Sequence, residues 1–219
     1  MYPKLQKLPT AWPKILEFLE KYTPRIYYFP VKWRPPEGSI LKCNTDGAYR
    51  GNPGRNTYSF CIRDCNGDLV YAQGEEIHEG TSIEAEALDI KEEITHCVTV
   101  GITQIYLETD SLVLFKILTR VWGVPWNIVV IIEDIWYVSR LCQTQIKHIY
   151  REGNKLADFL ANMAFDINGR FEFHEYSALP EYAKKILKLD KQQVPTLRIR
   201  MKKIIQDNTR GKGEATYIS

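Results

Sequence analysis

The chain has 219 residues, 44% of them hydrophobic and 26% charged, which is enough for one sizeable globular core with extensions. No apolar run reaches the ~18 to 20 residues of a membrane span, and the amino-terminal segment lacks the apolar core of a signal peptide. The five cysteines are scattered and show no CxxC spacing, so we expect an intracellular protein, nuclear or cytoplasmic and not secreted.

The net charge of +2 is distributed unevenly along the chain. Residues 1–40 carry seven basic and three acidic side chains, a balance of +4, and residues 170–219 carry eleven and six, a balance of +5. Residues 41–169 carry eleven basic and eighteen acidic side chains, a balance of −7. This pattern suits a polyanion bound around a metal-loaded centre, and it suits equally an ordinary domain with solvated tails.

Residues 1–40 are predicted to form a basic extension rich in proline and aromatic residues. Apolar residues at helical spacing between Trp12 and Leu19 predict a short helix. Four prolines between positions 24 and 36 exclude a long helix, so residues 25–38 are predicted to be extended.

Residues 41–167 are predicted to form a mixed α/β domain. Three alternating segments come first, and the hairpin signal Asn66-Gly67 joins the second to the third. Helical and strand patterns then follow in turn, which gives the order βββαβααβα and a five-stranded mixed sheet with helices packed on it. The predicted strands are 41–46, 58–63, 69–72, 104–108 and 145–149, and the predicted helices are 83–97, 113–121, 128–138 and 156–165.

Residues 168–219 are predicted to be a second basic extension. A short helix is expected between Tyr182 and Leu189, and the alternation at 197–202 is typical of a half-exposed strand with a basic face. The composition after Gln206 predicts disorder.

Carboxylates occupy positions that a metal site would use. Asp46 ends the first strand of the domain, Asp110 follows the fourth, and Asp158 lies early in the last helix. On the first helix, Glu86 lies roughly 60° from the centre of the apolar stripe and Glu84 roughly 100° on the other flank, which favours Glu86 only weakly.

Any one of these acids could be a surface residue or a helix cap. Four of them at the ends of four elements, in a domain with a charge balance of −7, indicate a metal site. Clustered carboxylates repel one another unless a cation neutralises them. Oxygen-only ligands suit Mg²⁺ or Mn²⁺ rather than zinc.

Four sequence motifs carry a specific resemblance. In order they are Asn44-Thr-Asp-Gly-Ala-Tyr-Arg-Gly-Asn-Pro-Gly54, Thr81-Ser-Ile-Glu-Ala-Glu-Ala-Leu88, Glu108-Thr-Asp-Ser111 and His148-Ile-Tyr-Arg-Glu-Gly-Asn-Lys-Leu-Ala-Asp158. Together they resemble the signatures of type 1 ribonuclease H. Their residues are most similar to those of the plant retroelement-type branch, which is associated with reverse transcriptases. The resemblance covers about 130 of the 219 residues.

The resemblance implies an endonuclease that hydrolyses the RNA strand of an RNA–DNA hybrid with two divalent ions, Mg²⁺ or Mn²⁺. It implies that Asp46 bridges both metals, that Glu86 and Asp110 hold the ion near the attacking water, and that Asp158 holds the other. The family places a threonine five residues before its glutamate, as Thr81 precedes Glu86, which favours Glu86 over Glu84. His148 matches a mobile histidine thought to assist proton transfer or product departure.

Substrate contacts follow less directly from the resemblance. Asn52, Thr81 and Ser82 match positions that contact the minor groove and read 2′-hydroxyls, although Asn52 is also a good turn former and Ser82 a good helix cap. The basic protrusion of some members is absent, because residues 121–141 contain a single basic residue. The carboxy-terminal basic residues could bind phosphates instead, or serve solubility or nuclear import; they are Arg198, Arg200, Lys202 and Lys203.

Two further functions stay open. A non-catalytic nucleic-acid- or protein-binding module with this fold would explain the missing protrusion, but it would not need all four carboxylates and the histidine. A related exonuclease or integrase fits less well, because those families space their acidic motifs differently. We expect a monomer that binds nucleic acid and no membrane, and the sequence identifies no protein partner.

Overall fold

The computed structural model describes residues 11–20, 25–51, 54–77 and 81–202, which divide into two compact units. The smaller unit comprises residues 1–29 and 197–219. Its described elements are helix α1 (Trp12–Glu20), most of strand β1 (Arg25–Val31) and most of strand β8 (Thr196–Lys202), and β1 pairs with β8. The predicted disorder after Gln206 lies outside the described residues.

The larger unit, residues 30–196, is built on a six-stranded sheet of order β6-β5-β2-β3-β4-β7. Strands β2, β3 and β4 are antiparallel neighbours, whereas β2–β5 and β5–β6 are parallel pairs. The strands are β2 (Leu41–Gly51), β3 (Gly54–Arg63), β4 (Leu69–Ile77), β5 (Gln104–Thr109), β6 (Gln143–His148) and β7 (Phe171–Phe173).

Five helices pack on this sheet: α2 (Ser82–Thr99), α3 (Leu112–Leu118), α4 (Val129–Leu141), α5 (Lys155–Ile167) and α6 (Glu181–Lys191). One face of the sheet packs with α2, α3 and α4 around buried residues such as Phe60, Ile90 and Leu107. The opposite face packs with α5 and α6 around a second core that includes Leu160 and Leu187. None of the described helices is both long and apolar enough to cross a membrane.

The predicted order βββαβααβα is confirmed for β2 to α5. The hairpin at Asn66-Gly67 is present, and Gly67 adopts φ +76°, which a side chain would strain. The sheet has one strand more than predicted, because β7 adds to the edge of β4. Its sequence, Phe-Glu-Phe, is too short for an alternating pattern to be recognised.

The compact unit extends beyond both ends of the predicted 41–167 domain. A buried polar network causes this, since Arg63, only 1% exposed, donates to Asp190 of α6 at 2.7 Å and to Asn44 at 2.8 Å. The Arg63 guanidinium also stacks over the ring of Trp33, with its Cζ 3.7 Å from the ring centroid. The Trp33 Nε1 donates to the same Asn44 oxygen at 2.8 Å. Residues on either side of the predicted domain are therefore anchored in its core.

We predict that Asp190→Ala lowers the free energy of unfolding by about 3 kcal/mol, because it leaves the buried Arg63 charge without its carboxylate partner. Urea denaturation followed by circular dichroism would measure this. Glu181→Ala, which removes a carboxylate from an exposed pair on the same helix, should change stability by less than about 1 kcal/mol. Equal effects of the two substitutions would show that α6 is a peripheral attachment.

Candidate metal centre

The parallel pairing of β2 and β5 brings the first two predicted acids together. Thr45 pairs with Thr109, so the residues that follow them, Asp46 and Asp110, lie at neighbouring positions of the sheet. Asp46 is 9% exposed and Asp110 is half-buried. Strand β2 runs on to Gly51, five residues past the predicted end, and Asp46 therefore lies within the strand.

Glu86 reaches the same place from helix α2, which packs closely against β2 beside Asp46. A Cβ atom at Gly47 would lie 3.1 Å from Glu86 Cγ and 3.3 Å from its backbone nitrogen, so a glycine permits this approach. Burial raises the pKa of Glu86, and the Asp110 carboxylate adds to the effect. Ser82 donates weakly to Glu86 at 3.4 Å.

Glu84 is engaged elsewhere, in the amino-terminal cap of α2. Its carboxylate accepts the backbone N–H of Thr81 at 2.7 Å, and the Thr81 hydroxyl accepts the backbone N–H of Glu84 at 3.4 Å. The Asn127 side chain also donates to Glu84, at 3.2 Å. The Thr81 backbone N–H lowers the pKa of Glu84, whereas the pKa of Glu86 is raised. This geometry favours Glu86 as the metal ligand.

Asp158 is brought to the group by the start of α5. The buried Asn154 side chain donates to the backbone carbonyl of Thr45 at 2.7 Å, which fixes the helix start against β2 next to Asp46. Asp158 accepts a hydrogen bond from Arg151 at 2.6 Å. Asn154 and Arg151 both lie within the His148–Asp158 motif, but their contacts have no signal in the sequence.

The four carboxylates interact unfavourably. Burial raises the pKa of Asp46 to about 9, and the carboxylates of Asp110 and Asp158 contribute further, while Arg151 opposes the shift. Burial also raises the pKa of Asp110, again against the effect of Arg151. In the described part of the chain, no three His, Cys, Asp or Glu side chains are gathered tightly enough to hold one ion as they stand. The cation next to these acids is Arg151.

The donor set still fits a hard divalent ion, because all four side chains offer carboxylate oxygens only. Burial is the main cause of the raised pKa values of Asp46 and Asp110, and the neighbouring carboxylates add to it, so this position would favour a nearby positive charge.

Two further acids, which sequence reasoning missed, lie on α2 behind this group. Asp89 and Glu93 are fully buried, and burial raises the pKa of each well above its usual range. Asp46 and Glu86 contribute to the shift of Asp89. The sequence signal is their helical position, three and seven residues after Glu86, on the side that faces the core.

The other predicted site residues do not all lie near the four acids. His148 ends β6 with its ring centroid 5.6 Å from that of Tyr150, and its charge acts on the pKa of Asp110. Thr81 and Ser82 are exposed at the start of α2. Arg198 and Arg200 lie on β8, in the other compact unit. Asn52, Lys203 and the side chain of Lys202 lie outside the described residues.

Comparison with known proteins gives the family. A family model described as reverse transcriptase-like matches residues 44–164, more than half of the chain. The chain belongs to this ribonuclease H family. The predicted family and fold class are thus confirmed.

Two relatives and one further solved structure illustrate the similarity. An Arabidopsis thaliana protein provisionally named a ribonuclease H protein is 29% identical over 168 residues, 73% of this chain but 26% of its own length. Ribonuclease H1 of Halobacterium salinarum is 27% identical with a TM-score of 0.52, covering 58% of this chain and 98% of that one. LC11 ribonuclease H1 from compost, solved with an RNA/DNA hybrid, is 24% identical with a TM-score of 0.55. The match covers 58% of this chain and 97% of that one. This chain spans about a quarter of the plant relative.

The raised pKa of Asp46 in the ribonuclease H domain gives a prediction about stability. A carboxyl group that ionises near pH 3.8 when unfolded and near 9 when folded favours the folded state at acid pH, and this contribution is lost as the pH rises through that window. With a chelator at pH 8, Asp46→Asn should therefore be more stable than the wild type by about 1–3 kcal/mol, and the difference should disappear near pH 4.

Thermal unfolding at several pH values would measure this difference. Asp166→Asn, which alters an exposed acid on α5, serves as the control and should show no such pH dependence. Added Mg²⁺ should stabilise the wild type but not Asp46→Asn, because only the wild type keeps all four ligands. Equal stability of the wild type and Asp46→Asn at every pH would contradict the electrostatic interpretation.

Proposed function

We propose that this ribonuclease H domain is a metal-dependent endonuclease that hydrolyses the RNA strand of RNA–DNA hybrids. The observation that carries the proposal is the placement of four carboxylates from β2, α2, the end of β5 and α5, since the charges of Asp110, Asp158 and Glu86 all raise the pKa of Asp46. Such an arrangement lowers stability, and a metal-binding function explains why the fold contains it.

Two divalent ions, Mg²⁺ or Mn²⁺, would be held by Asp46, Glu86, Asp110 and Asp158. When bound, such ions would activate the attacking water and stabilise the departing 3′ oxygen. Asn154 keeps Asp158 in position by joining the start of α5 to β2.

Arg151 and His148 have separate roles in this proposal. Arg151 is well exposed and leaves Asp158 when metal binds, since an exposed ion pair of this kind contributes little stability. His148, beside Asp110, moves a proton during product departure. Thr81 and Ser82, exposed next to Glu86, read the 2′-hydroxyls of the RNA strand.

A non-catalytic binding module is the second candidate. The observation that favours it is the pairing of Arg151 with Asp158, because a guanidinium in this position can replace a metal ion as the balancing charge. An intracellular location and a monomeric state remain predictions.

Cleavage of a labelled RNA–DNA hybrid in Mg²⁺ or Mn²⁺ tests the enzyme. Asp46→Asn should lower the rate by on the order of 10³-fold, since the metal supplies several kcal/mol and 1.4 kcal/mol corresponds to tenfold. Glu86→Gln should also lose most activity. Glu84→Gln is the matched control and should keep it, because glutamine can form the same helix cap. An inert wild type that binds the hybrid as tightly as Asp46→Asn would establish the binding module.

His148→Ala should lower turnover by about 10²-fold, the usual range for loss of a proton-transfer group. Stabilisation of the folded protein by Mg²⁺ should be unchanged in this variant, because His148 is not among the proposed ligands. Single-turnover and steady-state cleavage, measured together, would separate a slower bond-breaking step from slower product release. A fully active variant would rule out a role for His148.

A further inference from the structure

A basic cleft lies on the sheet face that also carries Asp46 and Asp110. Side chains alternate along a strand, so Lys42 and Asn44 share a face with Asp46, and Tyr106 and Glu108 share it with Asp110. The cleft has a volume of about 370 Å³ and lies between this face, near the edge strand β6, and the lead-in segment. Its basic lining consists of Lys32, Arg34, Lys42 and Lys147.

The lead-in segment fixes two of these cations. Val31 and Trp33 are buried whereas Lys32 and Arg34 are exposed, as expected for an extended chain with one inward face. Trp33 is held by the hydrogen bond to Asn44 and by Gln193, whose side-chain amide donates to the Trp33 carbonyl at 3.0 Å. Anchoring of the tryptophan therefore keeps both cations at the mouth of the cleft.

The strands supply the rest of the cleft. Lys147 of β6 lies over the ring of Tyr106, with its Nζ 3.5 Å from the ring centroid. Lys42 is buried and forms an ion pair with Glu108 at 2.6 Å, so its charge is already balanced. Among the described residues, no ion pair involves Lys32, Arg34 or Lys147.

We propose that this cleft binds the phosphodiester backbone of a single-stranded tail that leaves the hybrid at the metal centre. The inference rests on the proposed hybrid substrate. Within the described ranges, three cations of the cleft have no acidic partner, against one such acid, Glu37, which favours an anionic ligand. The cleft has the volume of a small-molecule pocket, which suits the individual nucleotides of a single strand.

The distance to the metal centre suits such a tail. Glu108 precedes Asp110 by two residues and Lys42 precedes Asp46 by four, which corresponds to roughly 7 and 13 Å along the strands. Stacked nucleotides advance about 3.4 Å each, so a tail of a few nucleotides spans this distance. The cleft thus compensates on this side for the basic protrusion that the domain lacks.

Binding should be measured in the Asp46→Asn background, which keeps the RNA intact. Fluorescence anisotropy would compare a blunt 12-base-pair hybrid with hybrids that carry a six-nucleotide tail on each of the four strand ends in turn. We expect one tailed hybrid to bind about 5- to 20-fold more tightly than the blunt one. Lys32→Ala, Arg34→Ala and Lys147→Ala together should abolish this advantage and leave blunt binding unchanged.

The salt dependence gives an independent measure. Loss of three phosphate contacts to a single strand should reduce the slope of log affinity against log salt by about 2 for the tailed hybrid. Lys184→Ala, Lys185→Ala and Lys188→Ala together remove the same charge from α6 and should leave the tail advantage in place. Lys32→Arg and Lys147→Arg together should preserve the tail advantage as well.

The failures of the two proposals are distinguishable. Equal affinity for tailed and blunt hybrids would overturn the proposed role of the cleft, whatever the cleavage assay shows. An equal loss of affinity for the tailed and the blunt hybrid in the cleft variant would overturn it as well. If the protein binds no hybrid, NMR with hexanucleotides decides, since a lack of shifts at Tyr106 and Lys147 overturns the inference and shifts confined to the cleft support it. Equal binding of hexaglutamate at these residues would overturn the assignment to nucleic acid.

Discussion

The parallel pairing of β2 with β5 is the constraint on which the rest of the site depends. One register aligns Thr45 with Thr109, and this alone makes Asp46 and Asp110 neighbours although they are far apart in sequence. A slip of one residue by either strand would separate the two acids, because the side chains of the slipped strand turn to the opposite face of the sheet. The pairing is reinforced by side chains, since Lys42 and Asn44 of β2 both donate to Glu108 of β5.

The electrostatics of the carboxylates oppose this scaffold. Asp46 is nearly buried and lies near other acids. Its pKa is raised because burial and the neighbouring carboxylates both disfavour its negative charge. The scaffold holds the acids through contacts that do not involve their charges, namely the close approach of α2 at Gly47 and the bond from Asn154 to the β2 backbone. Arg151 supplies a positive charge beside these acids through its ion pair with Asp158.

The features that the sequence predicted are those with a local signal. Alternation and helical spacing identify β2 to α5, and the four acids lie within short motifs that can be recognised in the sequence. The missed features depend on tertiary contacts. A charged residue such as Arg63 is ordinarily placed at the surface, and its burial follows only once Asp190 and Trp33 arrive from either end of the chain. The contact of Glu84 with Asn127 likewise has no sequence signal, because the two residues are far apart in the chain.

The anchoring of Trp33 links the fold to the handling of substrate. The same buried network that joins the lead-in and α6 to the sheet holds Lys32 and Arg34 outward beside β5 and β6. One face of two strands therefore changes from acidic near Asp46 and Asp110 to basic farther along. A nucleic acid strand is attracted to the basic part directly, and to the acidic part only when a cation reverses its charge. Under the proposed function, affinity and catalysis would thus be separated along one sheet face.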